Sequence, residues 1–197
     1  PDHHQFSNQL ALKLQIPIIL SQDTQQRLTE KHGESYFEDV ELRIAAENEE
    51  MTLWHGSVVR VYEIPGHDAG QLGLAPDSMA WFIVGDLIQG IGTVVISAPE
   101  GDMATYFDTL EKVIVLNPEV IIPSHGIPMR STHRLQETLK HRRERELQIL
   151  KLHKSGKSKE EILEQLYAEV DSRLHQLAMK NIESHLVKLH KEKRINI

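Results

Sequence analysis

Three short apolar runs in this chain each end in a turn that sets a histidine or an aspartate beside a glycine. Residues 58–64 lead through Pro65-Gly66 to His67, residues 79–84 through Gly85 to Asp86, and residues 120–122 through Pro123-Ser124 to His125-Gly126. Runs rich in Val and Ile favour buried extended strands, and Pro and Gly terminate them. Each polar side chain then falls just past the C-terminal end of a predicted strand, on the rim where α/β sheets build their sites. Between the second and third runs, residues 101–116 read as a helix stopped by Asn117-Pro118. Strand, helix and strand in alternation predict an α/β layered architecture.

Upstream, Phe6, Leu10, Ala11 and Leu14 form one stripe of a helix that Pro17 ends. Residues 16–20 read as a short buried strand. Asp23 is a plausible N-cap for a polar helix closed by Gly33, and residues 34–48 read as an acidic exposed helix or loop. Residues 72–75 and 79–84 flank Pro76-Asp77-Ser78 as a hairpin. After Pro128 three helical segments follow with no strand. Ser158 and Glu161 form a capping box before Ile162, and Leu174, Leu177, Ala178, Ile182, Leu186 and Leu189 share one face of the last segment. We divide the chain at 129/130, into an α/β part and a small helical domain. Charge follows the same division: residues 1–129 carry 6 Lys+Arg against 19 Asp+Glu, and residues 130–197 carry 16 against 10. A basic module is a weak nucleic-acid signal, and a solvated helical face is its ordinary reading.

The chain has no cysteine, so a metal would be held by imidazole and carboxylate. This suits a reducing cytoplasm, the expected location. No apolar run approaches the ~20 residues of a membrane span. Pro1-Asp2-His3-His4 is neither a signal peptide nor an expected natural start of a domain, and a preceding segment is expected. A histidine beside a Pro-Gly turn is ordinarily a surface residue, and Gly-Asp after a strand is ordinarily a turn. Three on one rim, with Asp2 and His3 as further candidates, point instead to a hydrolytic Zn, Mn or Fe site. A bridging carboxylate such as Asp86 could hold two ions and lower the pKa of bound water to ~7.

Taken together, these motifs resemble the metallo-β-lactamase superfamily. Asp2-His3 is similar to the tail of its His-x-His-x-Asp-His motif, and Pro65-Gly66-His67 to its Pro-Gly-His loop. The run from Phe82 to Asp86 resembles its bridging-aspartate strand, and Pro123-Ser124-His125-Gly126 its last-ligand loop. The resemblance implies an αβ/βα sandwich without its opening strands and without its first two metal histidines. It implies that Asp2, His3 and His125 bind one metal, that His67 binds the other, and that Asp86 bridges two zinc ions, with Mn or Fe as alternatives. The nucleophile would be a metal-bound hydroxide, oriented by Asp2 as the catalytic residue. The helical part, with Arg142-Arg143-Glu144-Arg145-Glu146, is similar to the winged-helix-like domain of the lactamase-β-like protein 2 group, which includes an endoribonuclease acting on single-stranded RNA.

The resulting expectation is a metal-dependent hydrolase of an ester, thioester, lactone or phosphodiester, poorly active as this chain alone. Single-stranded RNA cleavage is the first alternative. A metal-free interaction protein, dimerising through its helices, is the second.

Overall fold

The computed structural model describes residues 3–53, 55–90 and 92–196. A helix α1 (Ser7–Leu14) leads into β1 (Ile18–Leu20), α2 (Gln22–His32), a 3-10 turn at Glu34–Phe37 and β2 (Leu42–Ile44). Strands β3 (Glu50–Thr52), β4 (Val58–Glu63), β5 (Leu72–Ala75) and β6 (Phe82–Gly85) follow. Then come α3 (Met103–Leu116), β7 (Val120–Pro123) and β8 (Met129–Arg130). Helices α4 (His133–Lys154), α5 (Lys159–Leu166) and α6 (His175–Lys191) complete the chain.

Strands β3 to β8 form one six-stranded sheet in sequence order, while β1 and β2 pair in parallel in a separate sheet. Strands β4, β5 and β6 pair antiparallel in succession, and β7 runs parallel to β6. Two reversals restore direction, so β4, β6 and β7 all point the same way and end on the same rim. Helix α3 makes the crossover that a parallel β6–β7 pair requires. Period-two burial within β6 turns Phe82 and Val84 inward while Ile83 stays 39% exposed. Those inward side chains meet Met103, Tyr106, Leu110 and Val113 of α3 in the larger of two cores. Asp102 caps α3 by accepting hydrogen bonds from the backbone N–H of Ala104 and Thr105, and Asn117 ends the helix in the left-handed region.

The second core gathers Ile149, Ile162, Ile182, Leu186, Leu189 and Ile195 from the three C-terminal helices. The capping box is present, Ser158 and Glu161 satisfying each other's backbone N–H groups. Helix α4 belongs to both cores, with Leu135 and Leu139 in the first and Ile149 in the second.

Several expectations are corrected. Ser21, not Asp23, caps α2: its hydroxyl accepts from the Thr24 N–H and donates to the Gly70 carbonyl at 2.7 Å. Asp23 sits one residue inside the first turn, where its charge still suits the helix dipole. Residues 34–48 are not wholly an exposed helix or loop, because Phe37 is buried and β2 pairs with β1. One strand does follow Pro128: β8, two residues long, pairs with β7 and is too short to show a period. The α1 helix forms, but Phe6, Leu10 and Leu14 of its stripe are each more than half exposed and only Ala11 is buried. In the last segment Ala178, Ile182, Leu186 and Leu189 are buried as expected, whereas Leu174 and Leu177 remain exposed.

The basic module is also less solvated than its charge suggests. Arg142, Glu146 and Lys188 are buried, as is His185. Glu146 receives Lys188 Nζ at 2.9 Å, lies 3.3 Å from His185 Nδ1, and is reached by Arg194. A buried carboxylate persists only with such partners. Burial pushes the Glu146 carboxyl up, but hydrogen bonds from His185 and Lys188 outweigh it and hold the group below its usual range. Burial, with Arg142 and Lys188 nearby, holds the His185 imidazole below its usual value against the pull of Glu146. Both groups therefore bind protons more readily unfolded than folded, so stability falls with pH once the unfolded imidazole, near ~6.5, begins to protonate. Urea denaturation at roughly pH 7 and pH 5 should show this loss, and His185→Leu should make it shallower.

Candidate metal centre

The rim where β4, β6 and β7 end carries His67, Asp86 and His125. Gly66 makes the first turn possible. It has φ +130, and a Cβ there would lie 2.8 Å from Tyr106 Cβ on α3. The turn is pinned to α3 by the Asp102 N–H donating to the Gly66 carbonyl at 2.9 Å and by Thr109 Oγ1 donating to the Pro65 carbonyl at 2.6 Å. His67 Nδ1 lies 2.9 Å from the Val95 carbonyl. A carbonyl can only accept, so Nδ1 carries the proton and Nε2 is left free to act as a donor atom toward the rim.

Register brings the other two together. Gly85 pairs with Pro123 across β6 and β7 after a local register shift, and the Ser124 N–H donates to the Gly85 carbonyl at 3.0 Å. Asp86 and His125 thus leave adjacent strand ends side by side. Gly126, φ +102, packs directly on Gly90: a Cβ at Gly126 would meet Gly90 Cα at 2.9 Å. That contact, with the Gly90 N–H donating to the His125 carbonyl at 3.1 Å, holds the last loop against the loop after Asp86.

Asp86 is the centre of the arrangement and only 8% exposed. Its Oδ2 lies 2.7 Å from His3 Nε2 and 3.6 Å from His67 Nε2, and its Oδ1 lies 3.5 Å from His125 Nε2. Among the described residues Oδ1 is buried without a hydrogen-bond partner. His3 and His125 rings meet edge-on with centroids 5.3 Å apart. The donor atoms of His3, Asp86 and His125 lie within 4.8 Å of one another, a set able to hold a metal ion. His67 reaches the same carboxylate at Oδ2, the oxygen that His3 also meets.

This donor set fits a divalent metal. Imidazole nitrogens and a carboxylate without thiolate suit Zn, Fe or Mn. The lone pair of His67 Nε2, facing a carboxylate oxygen at 3.6 Å, and the unsatisfied Oδ1 both ask for a cation. Four sequence candidates, His3, His67, Asp86 and His125, come together. Asp2 lies outside the described residues. His4 turns instead toward Tyr36, 3.1 Å from its hydroxyl. Gly92 and Thr93 line a cleft of about 350 Å³ between the loop after Asp86 and α4. The Val95 carbonyl is the participant that sequence reading missed, and a backbone acceptor leaves no residue-type signal.

Comparison with known proteins bears on the fold and on the C-terminal module. Residues 158–196 match the model of the β-lactamase associated winged helix domain. The chain is 31% identical over 164 residues to the "Beta-lactamase-like protein 2 homolog" of Drosophila melanogaster, covering 81% of this chain and 54% of the relative. It is 29% identical over 140 residues to the homolog of Caenorhabditis elegans, covering 70% and 46%. The chain thus spans about half the length of the curated relatives it matches. Among solved structures it superposes on a β-lactamase domain protein from Burkholderia ambifaria with TM-score 0.70 and 19% identity, covering 90% of this chain and 60% of that one. It also superposes on a protein crystallised in a di-iron-bound form, with TM-score 0.52, 22% identity, and coverage of 66% and 67%. The fold is that of a metallo-β-lactamase-fold protein with an appended winged helix. Its sequence similarity is directed to the β-lactamase-like protein 2 homologs.

Because Gly126 combines a positive φ with contact against Gly90, Gly126→Ala should destabilise the fold by about 1–3 kcal/mol. Urea unfolding would measure it, with Gly56→Ala as a control for φ strain alone, since nothing lies within 4 Å of a Cβ there.

Proposed function

We propose that this chain carries part of the centre of a metal-dependent hydrolase, with His67, Asp86, His125 and His3 as ligands and Asp86 shared between two ions. The observation that carries the reading is the buried Asp86 carboxylate with three imidazole nitrogens 2.7–3.6 Å from its oxygens. A divalent ion bound there would supply Lewis acidity and lower the pKa of a coordinated water toward ~7. Around it the protein would do the rest. The Val95 carbonyl fixes the His67 tautomer, the Gly90–Gly126 contact holds the His125 loop, and Asp2 is the proposed proton acceptor. The substrate class is an ester, thioester, lactone or phosphodiester. Zinc is the proposed metal, and the di-iron neighbour makes iron the alternative.

A second reading, cleavage of single-stranded RNA, draws on the cleft between the loop after Asp86 and α4. Arg134, Lys140 and His141 of α4 line it, opposite Gln89, Gly92 and Thr93. Cations lining a cleft suit a phosphodiester backbone, though Glu137 and Glu144 line the same cleft. Binding that weakens steeply with salt would favour RNA, and ester turnover indifferent to salt would favour a small substrate.

The deciding experiment is metal content by mass spectrometry after purification from zinc- and iron-supplemented cultures. The expected result is on the order of one to two transition-metal ions per chain, lost in Asp86→Ala and reduced in His125→Ala. A wild-type chain that holds no more metal than Asp86→Ala would overturn the metal-centre reading and leave an interaction role for the fold.

A further inference from the structure

The segment that carries Val95 is gripped by the helical module. Asn181 of α6 is 6% exposed, and its Oδ1 accepts the Ile96 backbone N–H at 3.0 Å. The same oxygen accepts Arg142 Nη1 of α4 at 3.0 Å, and Arg142 Nη2 donates to the Val94 carbonyl. Arg142 is 3% exposed and stacks its guanidinium over Tyr106, 5.5 Å from the ring centroid. Residues 94 and 96 are thus each tied by a buried polar side chain from a different module helix. Between them, the Val95 carbonyl points to His67 Nδ1. Residues 93–97 form no strand or helix of their own, so their backbone lacks a ladder to hold it in place. The two side-chain ties supply what a strand partner would.

We propose that Asn181 and Arg142 are positioning residues for His67. By fixing the Val94–Ile96 backbone they aim the Val95 carbonyl, and so set the tautomer and ring orientation that present Nε2 to the rim. The consequence for metal affinity rests on reading His67 as a ligand, whereas the consequence for the tautomer does not. Neither residue touches the centre, so the helical module contributes to it through the backbone that holds His67. An exposed ion pair runs in parallel: Lys191 of α6 reaches Asp102 at 2.7 Å, and the Asp102 N–H binds the Gly66 carbonyl next to His67. Partners that orient a ligand histidine typically carry 10–100-fold in metal affinity.

The test uses the full chain, metal-free, at a pH where histidine is neutral, and reads the His67 ring by long-range proton–nitrogen correlation. The wild type should show a single Nδ1–H tautomer. Asn181→Leu, which removes the acceptor at similar volume, should give a tautomer mixture, and Asn181→Asp, which keeps an oxygen facing Arg142 and Ile96, should restore the single form. Zinc titration of the same samples should show affinity lowered about 10-fold in Asn181→Leu and largely recovered in Asn181→Asp. Should Asn181→Leu fail to fold, amide exchange of the wild type decides: Ile96 should exchange as slowly as Ile182 in α6. A single His67 tautomer in folded Asn181→Leu, or an Ile96 amide exchanging far faster than α6, would overturn the proposal. Absence of zinc binding in every sample would overturn the metal-centre reading instead, while the tautomer comparison still judges the clamp.

Discussion

A carboxylate withdrawn from water is costly unless positive charge or hydrogen-bond donors surround it. Asp86 is such a group, and much of the sheet's geometry serves its surroundings. Strands β4, β6 and β7 run the same way, so their ends deliver His67, Asp86 and His125 to one rim. Glycines at the turns let the backbone come close enough: Gly66 against α3, and Gly126 against Gly90. The site is therefore a product of strand direction and turn chemistry before any metal enters.

Beneath the rim the molecule is held by two cores with one shared element. The larger core packs α3 on the sheet, and the smaller joins the last three helices. Polar groups accompany both. Glu146 gathers His185, Lys188 and Arg194 inside the module, while Arg142 and Asn181 reach out of it to the loop under His67. Neither set is complete: Arg142 Nε and His185 Nε2 are buried without a hydrogen-bond partner among the described residues, a cost that the remaining bonds of each set must offset.

The sequence was most readable where local signals and tertiary demands agree. Pro65-Gly66, Gly85 and Gly126 mark strand ends, so His67, Asp86 and His125 could be placed on a rim from residue types alone. Helix α3 announced its end by Asn117-Pro118, and α5 its start by the capping box. Legibility failed where an element was too short to show a period, as in β2 and β8, or where the cap lay two residues before the one read, as with Ser21 in place of Asp23. It failed most for Arg142, Glu146 and Lys188, whose charges signal solvent while their contacts lie inside. The Val95 carbonyl had no signal, since every residue carries one.

Helix α4 has a mechanical consequence. Its 22 residues run unbroken for about 33 Å at the usual rise per residue, with Leu135 in one core and Ile149 in the other, about 21 Å apart along the helix. A continuous helix anchored at both ends behaves as a strut. It sets the distance between the sheet core and the far helices, so the two cores are spaced by a run of backbone hydrogen bonds rather than by a loop.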